Sequence, residues 1–339
     1  MTHLRQFCFR GVSRTRTKTT TLDRKADMSR PTAPAPILPR IGPSRPDSGL
    51  RIPGHYVWCS SVIQAEHKWH MFSAMWPERP DAARYNRRSV LQDYLRTSVI
   101  VRAESESPEG PYEVIETVLE PRGSGYWDVV CCHNPCIVKI GKVYALFFQT
   151  CGEPGEPRRI GYVTSTNIRG PWTHAAEAIP FPDDAVNPSV WVEPDGSLLM
   201  AFRIRPMRLA VARAPSLEGP WEIRNPDCMP HYGLEDPFLW YWKGQYHIVI
   251  EDACEQVTGD MRNGVRLVSD DGENWSFYNP EIRAYGAEIN WTNGVVTVPA
   301  RRERPWLILR DGKPTHLVNG VMFSHWETFR THSVVTPLV

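Results

Sequence analysis

The chain has 339 residues, with 39 Lys+Arg against 38 Asp+Glu and a formal net charge of +1. No bulk field therefore draws it to nucleic acid or to an anionic membrane. Hydrophobic residues make up 41% and aromatic residues 11%, which excludes a disordered chain and suffices for a large core.

Residues 1–47 stand apart from the rest. The first 25 are rich in Arg, Lys and Thr, with no acid before Asp23 and no apolar run long enough for a signal peptide. Pro31 to Pro46 is a Pro-rich extended stretch. The segment is expected to be a disordered leader and linker, with Met28 as an alternative start. Its composition also resembles that of an organelle transit peptide. Residues 48–339 are expected to form one domain, and a cytoplasmic location with free thiols follows from the missing signal.

From residue 58 onward one phrase recurs. WCSSVIQAEHKWHMFSAMW (58–76), HNPCIVKIGKVYALFFQT (133–150), NPSVWVEPDGSLLMAFR (187–203) and EDPFLWYWKGQYHIVIED (235–252) each read as strand, short turn, strand. In the last three a proline follows the polar head, a position compatible with a strand's first residues, where no ladder donor is needed. Pro135, Pro188 and Pro237 recur at intervals of about fifty residues. Each copy is followed by a third strand-like stretch and a small turn. A period of about fifty with roughly four strands per unit predicts a β-propeller of four-stranded antiparallel blades around a central channel. Residues 289–323 can supply a fifth blade, closed by N-terminal sequence, and five blades fit the length.

Eight cysteines are present, four of them (Cys131, Cys132, Cys136, Cys151) within a short stretch. Cys132 and Cys136 with His133 between them have a spacing compatible with zinc. A buried strand start that uses cysteine as a small hydrophobe explains them as well, and no metal ligand set is expected.

In a propeller the innermost strands begin at one end of the channel, so their heads converge. Those heads are Cys59–Ser60, His133–Asn134, Asn187 and Glu235–Asp236. Each Asn-Pro alone is ordinary turn chemistry; three successive polar heads before proline point to a shared site. Beside Tyr232, Phe238 and Trp240, one of the two adjacent carboxyls should resist ionisation, which suits a general acid.

These motifs, with the Gly-Pro-aromatic endings at Pro111-Tyr112, Pro171-Trp172 and Pro220-Trp221, resemble the five-bladed propeller glycoside hydrolases. The resemblance spans about residues 55–325 and is to families 43 and 62, with 32, 68, 117 and 130 as relatives. It implies that Glu235, followed by Pro237, is the general acid. Asn187 stands where family 43 has an acid-tuning Asp, and Cys59 or Ser60 where it has the base. The Glu-Asp-Pro triplet is closer to families 130 and 32. It further implies a carbohydrate substrate, a terminal sugar of a plant or algal oligo- or polysaccharide, and no cofactor beyond a channel cation.

With the base displaced, Asp128 in GSGYWDVVCCHNP is the candidate, the other reading being a turn cap. His133 is an acid, a base, a ligand or a hydrogen-bonded channel histidine. Asp236, Asn134 and Asn187 are candidates to hold sugar hydroxyls. Arg203 can clamp a carboxylate-bearing sugar or pair with Glu193 or Asp195. Trp58, Trp127 and Trp291 are candidate stacking platforms, and His316 a residue of the channel floor. A sugar-binding propeller without catalysis, and a phosphorylase-like variant using Arg203, Arg205, Arg208 and Arg213, are the alternatives.

Overall fold

Near-continuous burial along the inner strands sets the architecture. In Val143–Thr150 and Leu198–Ile204 every residue but the first of the former is buried, as expected of strands sandwiched between neighbouring blades. The computed structural model describes residues 41–78, 93–151, 156–182, 184–323 and 330–339. It is a five-bladed β-propeller, and its one helical element among the described residues is the turn Tyr94–Thr97.

Blade 1 comprises His55–Ala65, Lys68–Pro77, Val99–Ser105 and Glu113–Leu119, and blade 2 His133–Ile140, Val143–Thr150, Arg159–Ser165 and Thr173–His174. Blade 3 is Val186–Val192, Leu198–Ile204, Arg208–Ala214 and Glu222–Asn225. Blade 4 is Glu235–Trp242, Gln245–Glu251, Gly264–Ser269 and Ser276–Phe277, with Arg283–Tyr285 also pairing its third strand. Blade 5 has three strands, Arg301–Arg310, Lys313–Phe323 and Arg330–Pro337. All pairings within the blades are antiparallel. The innermost strands touch in turn, and blade 5 returns to the first strand of blade 1.

The fourth position of blade 5 is filled from the other end of the chain. Ile41 bridges Leu338, the Gly42 amide donates to the Pro337 carbonyl at 2.9 Å, and Ser44 and Thr336 hydroxyls meet at 2.8 Å. Further along, the Ser333 amide donates to the Leu50 carbonyl. Gly49, at φ +75°, lies so close that an added Cβ would fall 2.1 Å from the Ser333 carbonyl oxygen, so only glycine fits. Residues 41–47, assigned to the leader on sequence, thus lie against the ring; residues 1–40 lie outside the described residues.

The blade-ending motifs seal neighbouring blades. Gly110-Pro111, Gly170-Pro171 and Gly219-Pro220 share one turn with a left-handed glycine and a cis proline. The aromatic that follows packs on the preceding blade: Trp172 edges onto Phe72 of blade 1, and Trp221 onto Phe147 of blade 2. Tyr112 joins Ile308, Val318 and Val335 of blade 5, and Trp275 does the same for blade 4 against Leu199 and Val211. Full burial of a large apolar side chain contributes about 1.5–3 kcal/mol; Tyr112 and Trp275 are buried, Trp172 and Trp221 half-buried.

The N-terminal strap generates a prediction. A chain beginning at Ile41 should melt above one beginning at Ser48, because the latter loses the Gly42 and Ser44 hydrogen bonds. Gly42 makes one such bond and Ser44 three; at about 1 kcal/mol per bond, the loss is roughly 4 kcal/mol and at least about 5 °C in Tm. Calorimetry of the two chains checks this, and equal melting temperatures would show that the strap contributes nothing.

Candidate functional site

All five innermost strands carry a residue in the same unusual conformation. Cys59, Asn134, Asn187, Asp236 and Arg304 have φ of 57°, 52°, 58°, 62° and 54°, and in each strand the pairing register slips across this residue. Such a bulge breaks the strict alternation of side chains and re-aims its residues. Asn and Asp tolerate the left-handed region; for Cys and Arg it is strained by about 1 kcal/mol or more. The fifth head, Glu303-Arg304-Pro305, repeats the blade 4 pattern Glu235-Asp236-Pro237. The same polar-polar-Pro signal before an apolar strand could have revealed it in the sequence.

Opposite the heads lie the ends of the second strands: Gln149 pairs with His133, Arg203 with Val186, and Glu251 with Glu235. A chain of amides crosses from blade 2 to blade 4. Gln149 Oε1 accepts from Asn134 Nδ2 at 2.8 Å and from the Asn187 amide at 3.2 Å. Asn134 Nδ2 also donates to Asn187 Oδ1, which leaves Asn187 Nδ2 to donate to Glu235 Oε1 at 3.2 Å. The same carboxylate oxygen meets Arg203 Nε at 2.9 Å. Arg203 therefore pairs with neither Glu193 nor Asp195; Arg213 takes Glu193.

The two adjacent carboxyls are pushed apart. Burial works to raise Glu235, but Arg203, Arg158 and the Asn187 amide outweigh it and hold the group below the usual carboxylate range. Its side chain is the most open of the cluster, 30% exposed. Asp236 is buried and meets Arg304 Nη1 at 2.8 Å. Burial, reinforced by the neighbouring Glu235 charge, outweighs Arg304 and lifts it to about 7. Sequence reasoning gave the retained proton to Glu235 and hydroxyl binding to Asp236. Arg203, on a different blade from either, favours the charged form of Glu235, so the retained proton goes with Asp236 instead.

Asp236, Glu251 and Glu303 each present a carboxylate oxygen within 4.8 Å of the others. Burial, and after it the neighbouring acids, raises Glu251; burial also raises Glu303 despite Arg301. These three could hold a cation, which would compete with Arg304 on Asp236 and Arg301 on Glu303.

His133 lies at the blade 2 head, held between Ser98 and Cys59. The Ser98 hydroxyl donates to the Cys132 carbonyl at 2.9 Å and so accepts from His133 Nδ1 at 2.8 Å. His133 Nε2 then faces Cys59 Sγ at 3.6 Å, and Tyr94 stacks on the ring at 4.3 Å. Burial, with Arg304 and Arg158, holds the imidazole well below its usual pKa, hence neutral.

Asp128 is not in the channel cluster. Fully buried, it meets Arg122 at 2.6 Å and His174, on the outermost strand of blade 2, at 3.0 Å. Trp127 anchors that loop: its ring fills the space over Gly161, where a Cβ would fall 2.1 Å away, and its Nε1 donates to the Ala175 carbonyl at 2.9 Å. Trp58 is pressed against Gly320, and Trp291 donates to Thr297 at 2.8 Å within a buried cluster. None of the three offers an open stacking face. His316 pairs across from Ile308, at the far end of the hairpin from the Glu303 head. Of the other arginines, Arg205 pairs with Asp184 at 2.6 Å and Arg208 donates to the Arg205 carbonyl. Sequence reasoning missed Gln149, Arg158, Glu251, Arg301, Glu303 and Arg304.

No known family pattern matches the sequence, and no curated protein matches it. Solved structures do. The chain is similar to Zg3597, a family 117 glycoside hydrolase of the marine bacterium Zobellia galactanivorans, at 12% identity and a TM-score of 0.62, covering 88% of this chain and 90% of that one. A thermostable family-43 glycoside hydrolase matches at 10% identity and 0.61, over 87% and 92%. The GH43_1 enzyme from Xanthomonas citri matches at 12% and 0.60, over 89% and 91%. At such identities the likeness defines the fold class, the five-bladed propeller on which these glycoside hydrolases are built.

The placement of Asp128 yields a prediction. Asp128→Asn removes the buried charge that Arg122 and His174 face and should cost about 1–3 kcal/mol. Urea denaturation should show a lower midpoint with an unchanged slope; an unmoved midpoint would mean that the ion pair does not hold the loop.

Proposed function

We propose that the chain is a glycoside hydrolase that releases a terminal sugar from a plant or algal oligo- or polysaccharide. The observation that carries this reading is the opposed pair at the blade 4 head: Glu235 sits in a cradle of Arg203 and Asn187 that favours its charge, and Asp236 is buried against Arg304 and raised to about 7. Two carboxyls driven apart in this way are the equipment for acid/base cleavage of an acetal. The fold shared with the glycoside hydrolases named above is consistent with it.

In this reading the Asp236 carboxyl gives its proton to the glycosidic oxygen as the bond from that oxygen to the anomeric carbon breaks. Water adds to the anomeric carbon and yields its proton to the Glu235 carboxylate, which also stabilises the positive charge developing on the ring. Passing that proton back to Asp236 restores the site, so the net change is addition of one water. Arg203 keeps Glu235 ionised, and the amide chain from Gln149 fixes its orientation. The first-blade head carries Cys59 in place of a carboxylate, which favours a second reading, a sugar-binding propeller without turnover.

The test is hydrolysis of a panel of aryl glycosides and plant and algal oligosaccharides. The rate should rise with pH through an ionisation below the usual carboxylate range, as Glu235 loses its proton. It should fall near pH 7, as Asp236 loses its own. Asp236→Asn should lower kcat by about 10²–10⁴-fold on substrates with poor leaving groups and abolish the falling limb. Glu235→Gln should lower kcat on good and poor leaving groups alike. Binding of a sugar with no turnover of any panel member would favour the second reading.

A further inference from the structure

The crowding of cysteines between residues 131 and 151 has a counterpart in space. His133 pairs with Gln149 across blade 2, and the same antiparallel register carried toward the channel mouth sets Cys131 opposite Cys151. Their sulfurs lie 3.0 Å apart, with the Cys131 thiol directed at Cys151. Both are free. Cys131 is sealed, whereas Cys151 retains 7% of its surface. The proposed hydrolysis uses neither sulfur.

We propose that Cys131 and Cys151 form an oxidation site for small peroxides, in which Cys151 is the attacking thiolate and Cys131 the resolving thiol. The surroundings divide the two roles. The Cys131 S–H, and after burial has opposed it the Arg158 guanidinium, hold Cys151 below the usual thiol range; the same contact and burial keep Cys131 protonated. Cys151 is also the less enclosed of the two. Its thiolate attacks one peroxide oxygen and the O–O bond breaks; with hydrogen peroxide the departing hydroxide takes up a proton and leaves as water. This makes Cys151 a sulfenic acid. The Cys131 sulfur then attacks the Cys151 sulfur: an S–S bond forms, the S–O bond breaks, and the hydroxyl leaves as water with the Cys131 proton. Two electrons pass from sulfur to peroxide. Closing the gap to bonding distance requires a movement of only about 1 Å.

Among the described residues, the remaining free cysteines lack this arrangement. Cys59 faces a neutral His133, Cys132 and Cys136 are enclosed in apolar clusters, and Cys228 faces the Asn225 carbonyl.

Limiting hydrogen peroxide, alkylation of the remaining thiols and peptide mapping of the full chain test the proposal without any sugar substrate, so its failure is separate from failure of the hydrolase reading. The wild type should lose two hydrogen masses and yield a Cys131–Cys151 linked peptide, reversed by reductant, at least about tenfold faster than any other cysteine is oxidised. Cys131→Ser should stop at a sulfenic acid on Cys151, trapped by dimedone, and Cys151→Ser should abolish the fast phase. Oxidation spread evenly over the cysteines, or a wild type whose 131 and 151 thiols stay alkylatable while others react, would overturn it, whatever the variants' folding.

Discussion

The left-handed bulge at the head of each innermost strand is the constraint from which the channel follows. A regular strand would send successive side chains to opposite faces. The bulge breaks that alternation where five strands converge, so Glu235 and Asp236, and Glu303 and Arg304, come together in one polar cluster. The proline after four of the five bulges stands where the ladder has been interrupted and needs no donor. The cost is about 1 kcal/mol or more of backbone strain at Cys59 and Arg304, offset by the packing of complete blades on either side. The ring that holds the heads in place is closed by a strap from the other end of the chain, Ile41 to Leu50, along the last strand.

Charge within the cluster is organised by arginines contributed from other strands. Arg203 comes from the second strand of blade 3 and stabilises the charge of Glu235; Arg304 heads blade 5 and pairs with Asp236. Burial acts on both carboxyls in the same direction, so the partner decides which one keeps its proton. Glu235 has Arg203 and an amide donor and retains contact with solvent. Asp236 has one guanidinium, almost no solvent and a charged neighbour. Two residues adjacent in sequence are thereby shifted in opposite directions.

Much of the fold was legible in the sequence, because a repeated strand–turn–strand phrase with a proline at its head has few other meanings. The blade-ending Gly-Pro-aromatic motifs proved to be the seals between blades, and the heads Asn134, Asn187, Glu235 and Asp236 do converge. The fifth head was missed because the spacing from Pro237 to Pro305 breaks the fifty-residue period: the hairpin around Trp291 is inserted before it. The partners of each charge could not be read along the chain, since Arg203 and Glu235 meet across two blades. Asp128 looked available because its loop precedes a head; the space over Gly161 draws Trp127, and Asp128 with it, toward the outer strands. Trp58 and Trp291 are absorbed by packing for a similar reason, each filling a gap beside a glycine or a short hairpin that composition alone does not reveal.

Infrared difference spectroscopy on the protein with isotope-labelled aspartate would test the central claim, that Asp236 and not Glu235 keeps its proton near neutrality. The labelled protonated-carboxyl stretch should persist to about pH 7 and vanish in Asp236→Asn. A band confined to unlabelled glutamate and lost in Glu235→Gln, or no protonated aspartate above the ordinary carboxylate range, would contradict it.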